Sequence, residues 1–593
     1  MSEFVPNGYF VDKNGKKIAV YDASARNSAK KNAEDIAALS EEMVKTINGV
    51  KPDANGNVQV SGGTGVATKP RVYNVKDYGA VGDGVADDGA AIKAAFGAAV
   101  DNLPAEVYFP AGEYGLLTGG ILVKLPLGAG GLTVRGEGSD KSKLKYLENW
   151  NSFGGSWYSL SIGPVSTPAT EEDYLHDISI LDLGVYDTDP INHAWHVDKG
   201  DPATEETHGF DIQYTRRATV ARCEIRNVGD EAIDIYSCVD VLVTDNKVYD
   251  SPAAGSHGGA ISICDGCNKV VATNNMVSGS IATKENFGIV VESLLIPVQD
   301  VIFSNNIITG INGNGINIAC PNAGAKAENI LIDSNIIKNC TNGVAFSGTQ
   351  PKNYVTMSNV LIDGVSGRGF YLQSHEMKGA TINGCTIKNA GEHGIYVSTD
   401  SPDDVMLVSD CLLENIQRQA VMINANCKVN NCYVNGVGLA GGITSGAIQS
   451  FGGEMEVTNC KIVNIAMTKG VQDAKSVYNT DIYFASGDGD AIAGGNIRSV
   501  RGGSTNGRIT IGANGALVDG VTIESANNAY HAIHLSGAKK TIVSNCRITV
   551  SNYDAVGETG AADYNVITGI ISNKGVNKVG ANSITANNIK VAT

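Results

Sequence analysis

From residue 209 onward the chain repeats one short pattern: a small residue, an apolar residue, any residue, an apolar residue. It reads GFDI at 209–212, AIDI at 232–235, GAISI at 259–263 and GIVV at 288–291. It continues as GINI at 315–318, GVAF at 343–346, GFYL at 369–372, GIYV at 394–397 and AVMI at 420–423. Gly288, Gly315, Gly343, Gly369 and Gly394 stand 27, 28, 26 and 25 residues apart. Weaker copies are GAI at 446–448, AIHL at 532–535 and GIIS at 569–572. A second pattern runs out of phase with the first. VIFSNNIITG at 301–310, ILIDSNIIKNC at 330–340, ATINGCTIKNA at 380–390 and MLVSDCLLENI at 406–416 each predict a short strand, a polar turn and another short strand. Two or three strands per period of about 26 residues describe one coil of a parallel β-helix. No single coil buries its own inner face, so the coils stack around one long core.

The turn of the second pattern carries a column of equivalent positions. It holds Cys223, Asn246, Asn275, Asn306, Asn335, Val360, Cys385, Cys411, Cys432, Cys460 and Cys546. Stacked Asn side chains can hydrogen-bond from coil to coil, and stacked Cys act as small buried hydrophobes. Six of the 12 cysteines fall on this column, which is not the use a disulfide framework makes of them. Cys264-x-x-Cys267 has no second pair, so zinc is not expected, and no cofactor motif is read elsewhere. Composition agrees with a turn-rich β architecture: 71 glycines and 6% aromatics. A net charge of −17 argues against bulk affinity for nucleic acid or anionic membrane. The start, MSEFVPNGYFVDKNG, has neither a basic nor an apolar signal region, so export by a standard signal peptide is not expected.

Residues 71–100, RVYNVKDYGAVGDGVADDGAAIKAAFGAAV, predict a strand, a glycine turn and an Ala-rich helix, with Asp87 or Asp88 as its cap. Such a helix could cover the open first rung. Together with VYFPAGEY at 107–114, this stretch resembles the start of pectate-lyase-like β-helix proteins, the superfamily of many phage tailspikes. The resemblance implies a β-helix from about residue 70 to the end, and a capping rather than catalytic role for Asp83, Asp87 and Asp88. Residues 25–47 predict a helix with Ile36, Leu39, Met43 and Ile47 near coiled-coil spacing. INGVKPDANGNVQV at 47–60 resembles a hairpin of phage tail fibres, and SGGTGVATKP at 61–70 reads as a linker.

Candidate chemistry gathers at the first regular coils. ETHGFDI at 206–212, VGDEAIDI at 228–235 and SHGGAISI at 256–263 follow one another. In order they resemble the NTDGFDI, DD and GHG segments of polygalacturonase-like glycoside hydrolases. That resemblance implies Asp230 and Glu231 as the acid and base pair, with His257 beside them. Two departures stand against pectic substrates: His208 replaces an essential aspartate, and the basic RxK segment is replaced by FGIVVES at 287–293. Glycosidic hydrolysis needs one carboxylic acid for the leaving oxygen and one carboxylate for water or the sugar. Asp211 and Asp234 on neighbouring rungs offer further carboxylates. The alternative is that these are solvated turn acids, since His393 in GEHGIYV also precedes a glycine. All three tryptophans lie between 150 and 195. Trp195, His193, His196, His208 and Trp157 are the candidate sugar-binding residues.

The expectation is an all-β, right-handed single-stranded parallel β-helix with a capping helix and a short N-terminal anchor. Residues 1–68 form the anchor, 69–208 the start of the helix with its insertions, and 209–593 the regular coils. The expected function is that of a phage tailspike-like homotrimer in the virion. It joins tail or baseplate proteins through residues 1–68, needs no cofactor, and binds and hydrolyses a host surface polysaccharide. A non-catalytic receptor-binding fibre and a polysaccharide lyase are the alternatives.

Overall fold

A computed structural model describes Phe4–Val5, Tyr9–Val11, Lys17–Ala19 and residues 70–593. Within the latter, 152–157, 189–206, 252–257, 280–285, 402–403, 439–446, 453–454, 466–481, 485–495, 499–500, 504–508, 512–514, 526–530, 551–552 and 592–593 are outside the description. The chain divides into two units, Met1–Lys69 and Pro70–Thr593. In the first, three short antiparallel strands pair Phe4 with Phe10 and Tyr9 with Ala19. The helix expected over 25–47 and the hairpin expected over 47–60 lie outside the described residues.

The second unit is a parallel β-helix made of three parallel sheets. Each complete rung gives one strand to each sheet. One rung runs through Leu175–Leu181, Gly184–Asp187 and His208–Gln213. The next runs through Thr215–Ala221, Glu224–Arg226 and Ile233–Tyr236, each paired in parallel with its predecessor. The small-apolar-x-apolar repeat forms the third sheet. The strand-turn-strand repeat forms the first two, as in Val298–Ser304 and Ile307–Thr309.

The bend between the first two sheets takes only two residues. Its first residue is left-handed: Asp182, Arg222, Asp245, Asn274, Asn305, Ser334, Asn359 and Asp410 all have φ between 55° and 57°. Asn and Asp tolerate that conformation best among residues with a Cβ, and Gly384 fills it on another rung. The second residue is the ladder position, which points inward. Asn246 Nδ2 donates to Asn275 Oδ1 at 3.0 Å, Asn275 Nδ2 to Asn306 Oδ1 at 3.1 Å, and Asn306 Nδ2 to Asn335 Oδ1 at 3.0 Å. Each Oδ1 also accepts the backbone N–H of the preceding ladder residue, as from Asn275 N to Asn306 at 2.9 Å. Each side chain thus ties two rungs together and satisfies backbone at a bend that sheet pairing does not reach.

The six ladder cysteines are buried, and all 12 cysteines are free thiols. Burial pushes the Cys223 thiol up to about 12, which keeps it protonated and unreactive. Between the bends, apolar residues stack in register. One such column runs Ile180, Val220, Val243, Ala272, Phe303, Ile332 and Met357, all fully buried. At the first rung the helix Gly89–Val100 buries Ile92, Ala95, Phe96 and Ala99 in the same core. The two expected cap residues divide the work. Asp87 Oδ1 accepts from Gly89 N at 3.1 Å, close to the helix start. Asp88 stands at the cap position without a side-chain cap bond. It binds the backbone N–H groups of Val81, Gly82 and Gly115 instead, so it pins the glycine turn to the next strand.

Replacing Asn306 by Ala should destabilise the middle coils by about 1–3 kcal/mol for each buried polar group left without a partner. Denaturant unfolding measures the loss. Hydrogen exchange at the Asn275 amide should rise more than at amides several rungs away.

Candidate active site

Strand alternation and rung register together build an acidic cluster. Ser161, Asp211, Asp234 and Ser262 are direct partners on four successive rungs of the third sheet. Their strand neighbours Phe210, Ile212, Ile233 and Ile235 are fully buried in the core. With a side-chain period of two, the acids therefore stand on the outer face. Asp211 is still 0% exposed, whereas Asp234 is half-buried. Asp211 Oδ2 accepts from Ser161 Oγ at 2.6 Å and from Gln213 Nε2 at 2.8 Å. Its Oδ1 has no hydrogen-bond partner among the described residues. Asp234 Oδ2 accepts the phenol of Tyr158 at 2.9 Å.

This environment favours protonated carboxyls. Burial, and then the neighbouring Asp234 charge, push Asp211 well above the ordinary carboxylate range, against the pull of Ser161, Lys124 and Gln213. Burial also raises Asp234, opposed by hydrogen bonds from Tyr158 and Cys264 and by the charge of His208. Glu292, two rungs beyond Asp234, is raised by burial and by Asp234 and Asp265. Two carboxyls on adjacent rungs, about 4.8 Å apart along the stack, resist carrying two charges at once.

A second group sits at the edge where these strands begin. His208 is the rung partner of Tyr158, and their ring centroids are 4.5 Å apart. His208 Nδ1 lies 2.7 Å from Glu231 Oε2. Asp230 and Glu231 occupy the loop before Ile233–Tyr236, where adjacent side chains need not face opposite ways. Ligand atoms of His208, Asp230 and Glu231 all come within 4.8 Å of one another. One imidazole nitrogen and two carboxylate oxygens form a donor set able to hold a divalent cation. Gly258 is required by this crowding: a Cβ there would stand 1.7 Å from Asp230 Oδ1. On the other side of Asp211, Gly163 is the rung partner of Lys124. A Cβ at Gly163 would meet Gln213 Oε1 at 3.0 Å and Lys124 Nζ at 3.3 Å, so the bare glycine gives both side chains room.

Five residues singled out in the sequence, Asp211, Asp234, Asp230, Glu231 and His208, come together here. His257, Trp195, His196, His193 and Trp157 lie outside the described residues. Trp150 is buried at 6% exposure, with Nε1 donating to Gly119 O at 3.2 Å. Tyr158, Ser161, Gln213 and Lys124 were not singled out. Tyr158 and Ser161 come from YSLSIGP, a strand without the repeat signature, and only register brings them to Asp234 and Asp211.

Residues 72–345 match the family model described as Rhamnogalacturonase A/epimerase, pectate lyase-like, and residues 295–462 match the right handed beta helix region. Mannuronan C5-epimerase AlgE2 of Azotobacter vinelandii is 29% identical over 277 residues, 44% of this chain and 24% of that protein. Alginate lyase 7 of the same organism is 28% identical over 198 residues, 31% of this chain and 20% of that protein. The matches thus span about a quarter or less of these relatives. Among solved structures, the Agl-KA catalytic domain superposes with a TM-score of 0.45 at 17% identity, covering 70% of this chain and 68% of that one.

A carboxyl whose pKa is raised by folding stabilises most at low pH, and that contribution is lost as pH rises through the folded value. The stability of Asp211→Asn relative to the native protein should therefore increase with pH above the ordinary carboxylate value of 3.8. Thermal unfolding across pH 4–8 tests the slope. Parallel curves would remove Asp211 as a buried acid.

Proposed function

We propose that this chain, pectate-lyase-like over residues 72–345 and right-handed β-helix over 295–462, is an enzyme that acts on a polysaccharide by proton transfer from its outer-face carboxyls. The observation that carries this reading is the Asp211–Asp234 pair. Two carboxyls sit side by side with raised pKa values, next to a Glu231–His208 pair at 2.7 Å. An acid whose pKa is raised, beside a separate carboxylate, is the combination that glycosidic hydrolysis uses. In this reading Asp234, the more exposed of the two, protonates the leaving glycosidic oxygen. Asp211 shares its proton, and the Tyr158 phenol steadies the carboxylate left behind. Glu231, oriented by His208, takes the proton of the attacking water. Hydrolysis inserts water across the C–O bond; Glu231 then releases its proton to solvent and Asp234 takes one up from it, so both carboxyls return to their starting protonation.

Transformation of a uronate is the second reading, favoured by the names of the curated relatives and by Lys124. Here a base removes the proton at C5, and the Lys124 ammonium beside Gln213 balances the uronate carboxylate. Either the 4-oxygen leaves, giving an unsaturated sugar, or C5 is reprotonated from the other face. Delivery of the enzyme to a host surface glycan as a phage tailspike-like protein rests on the resemblance of the INGVKPDANGNVQV segment to a tail-fibre hairpin and on the SGGTGVATKP linker after it, and assembly as a homotrimer rests on the coiled-coil spacing of Ile36, Leu39, Met43 and Ile47.

Asp234→Asn and Glu231→Gln should each lower turnover about 100- to 10,000-fold, the usual scale of acid–base contributions. Product analysis separates the chemistries. New reducing ends without ultraviolet absorbance identify hydrolysis, absorbing unsaturated ends identify elimination, and inverted C5 without chain cleavage identifies epimerisation. Native turnover in both variants would remove this cluster as the catalytic site.

A further inference from the structure

The register column that holds Asp211 and Asp234 continues as Ser262, Val290, Asn317, Ala345, Tyr371 and Tyr396. Tyr371 therefore stands five rungs beyond Asp234, about 24 Å along the stack. There the outer face changes character. The Tyr371 and Tyr396 rings lie 5.7 Å apart at 57°. The Arg368 guanidinium sits 4.1 Å from the Tyr371 centroid and 5.0 Å from that of Tyr396. Glu392 holds that guanidinium at 2.8 Å. His393, the second histidine that precedes a glycine, is only 4% exposed and packs its ring 5.4 Å from Tyr396. Burial, with Arg368 and Arg418 nearby, lowers it to about 4, so it is a neutral support for the tyrosine pair.

Next to this pair is a cavity of about 370 Å³, within the size range of small-ligand sites. Tyr371, Gln373 and Ser398 line it from the sheet, and Thr349, His375 and Asp400 from the neighbouring turns. His375 Nδ1 is paired with the Asp400 carboxylate. The lining combines an aromatic wall with hydroxyl, amide and imidazole groups. That suits a ring with an apolar face and hydroxyl edges. Arg368 is already engaged by Glu392, and the His375 ring by Asp400. A uronate carboxylate would thus meet an acid here rather than a free cation.

We infer that the cavity beside Tyr371 is a second carbohydrate site, which holds an uncharged pyranose unit of a glycan away from the acidic cluster. This rests on the proposed polysaccharide substrate. It adds a place where the polymer is gripped without being cut, so long chains gain affinity that short ones lack.

The test uses the full chain carrying Asp234→Asn on an array of neutral hexosyl, N-acetylhexosaminyl and mannuronan oligosaccharides. Binding to an uncharged oligosaccharide is expected. It should fall about tenfold on adding Tyr371→Ala or Gln373→Ala and stay unchanged on adding Glu231→Gln. Gln373 is exposed, so its variant keeps the test valid if Tyr371→Ala does not fold. In the active protein, the same two substitutions should raise KM for polymer and leave kcat on short oligosaccharides unchanged. No binding to neutral spots, binding confined to mannuronan, or unaltered binding in both cavity variants would overturn the inference. Absence of turnover on every glycan, with neutral binding intact, would instead overturn the proposed reaction and leave the second site standing.

Discussion

Register between rungs is the constraint on which everything else in this molecule depends. A parallel stack of short strands has no hairpins to fix its alignment, and slipping one strand by one residue exchanges its two faces. For Ile233–Tyr236 such a slip would bury Asp234 in the core and expose Ile233 and Ile235. The Asn ladder acts against that. Asn275 and Asn306 each receive the backbone N–H of the preceding ladder residue and donate to the next ladder side chain, so the bend itself is keyed from coil to coil. The left-handed residue before it sets the sharpness of the bend, and Asn or Asp stands there on most rungs. Where the ladder turns to cysteine, the keying bond becomes a long, weak one from Sγ to a carbonyl of the preceding rung, as from Cys411 to Ile382 O at 3.9 Å and from Cys460 to Val429 O at 3.7 Å. Shape and burial then carry more of the load.

The outer face inherits its order from that inner column. Ser161, Asp211, Asp234 and Ser262 are 50, 23 and 28 residues apart in sequence, yet they are nearest neighbours in the sheet. A solenoid can therefore assemble a reactive group by single substitutions on one column, with no change to the fold. The price is local, because each outward acid must be desolvated where the surrounding face is crowded.

This explains what the sequence disclosed and what it hid. The small-apolar-x-apolar repeat located the third sheet strand by strand, from His208–Gln213 to Val421–Asn424. The ladder cysteines and asparagines were legible because their chemistry repeats. Asp211, Asp234 and Glu231 were legible because they interrupt that repeat with charge. Tyr158 and Ser161 were not, since their strand lies before the regular coils and beyond a long insertion, with no motif to set its phase. Lys124 was hidden for the same reason, and the room left by Gly163 exists only between two rungs. The difference in burial was also illegible. Asp211 and Asp234 occupy the same place in their repeats, and their difference comes from what covers each one.

Two fully buried acids of this chain are held in opposite ways. Glu558 is 0% exposed, like Asp211. Its Oε1 accepts from Asn565 Nδ2 at 2.8 Å and Ser583 Oγ at 2.5 Å, and its Oε2 accepts the N–H groups of Val579 and Gly580, both at 2.9 Å. Burial alone would raise its pKa, but four donors outweigh burial and hold it below the ordinary carboxylate value. That carboxylate is fully satisfied, and it knits the last coils together. Among the described residues Asp211 has donors on one oxygen only, and it has an acidic neighbour one rung away. Adding a donor at Oδ1 would have been a single substitution on a neighbouring rung, as Ser583 provides for Glu558. An acid buried without such a donor is under-solvated in its charged form, so burial raises the pKa of Asp211 where four donors lower that of Glu558.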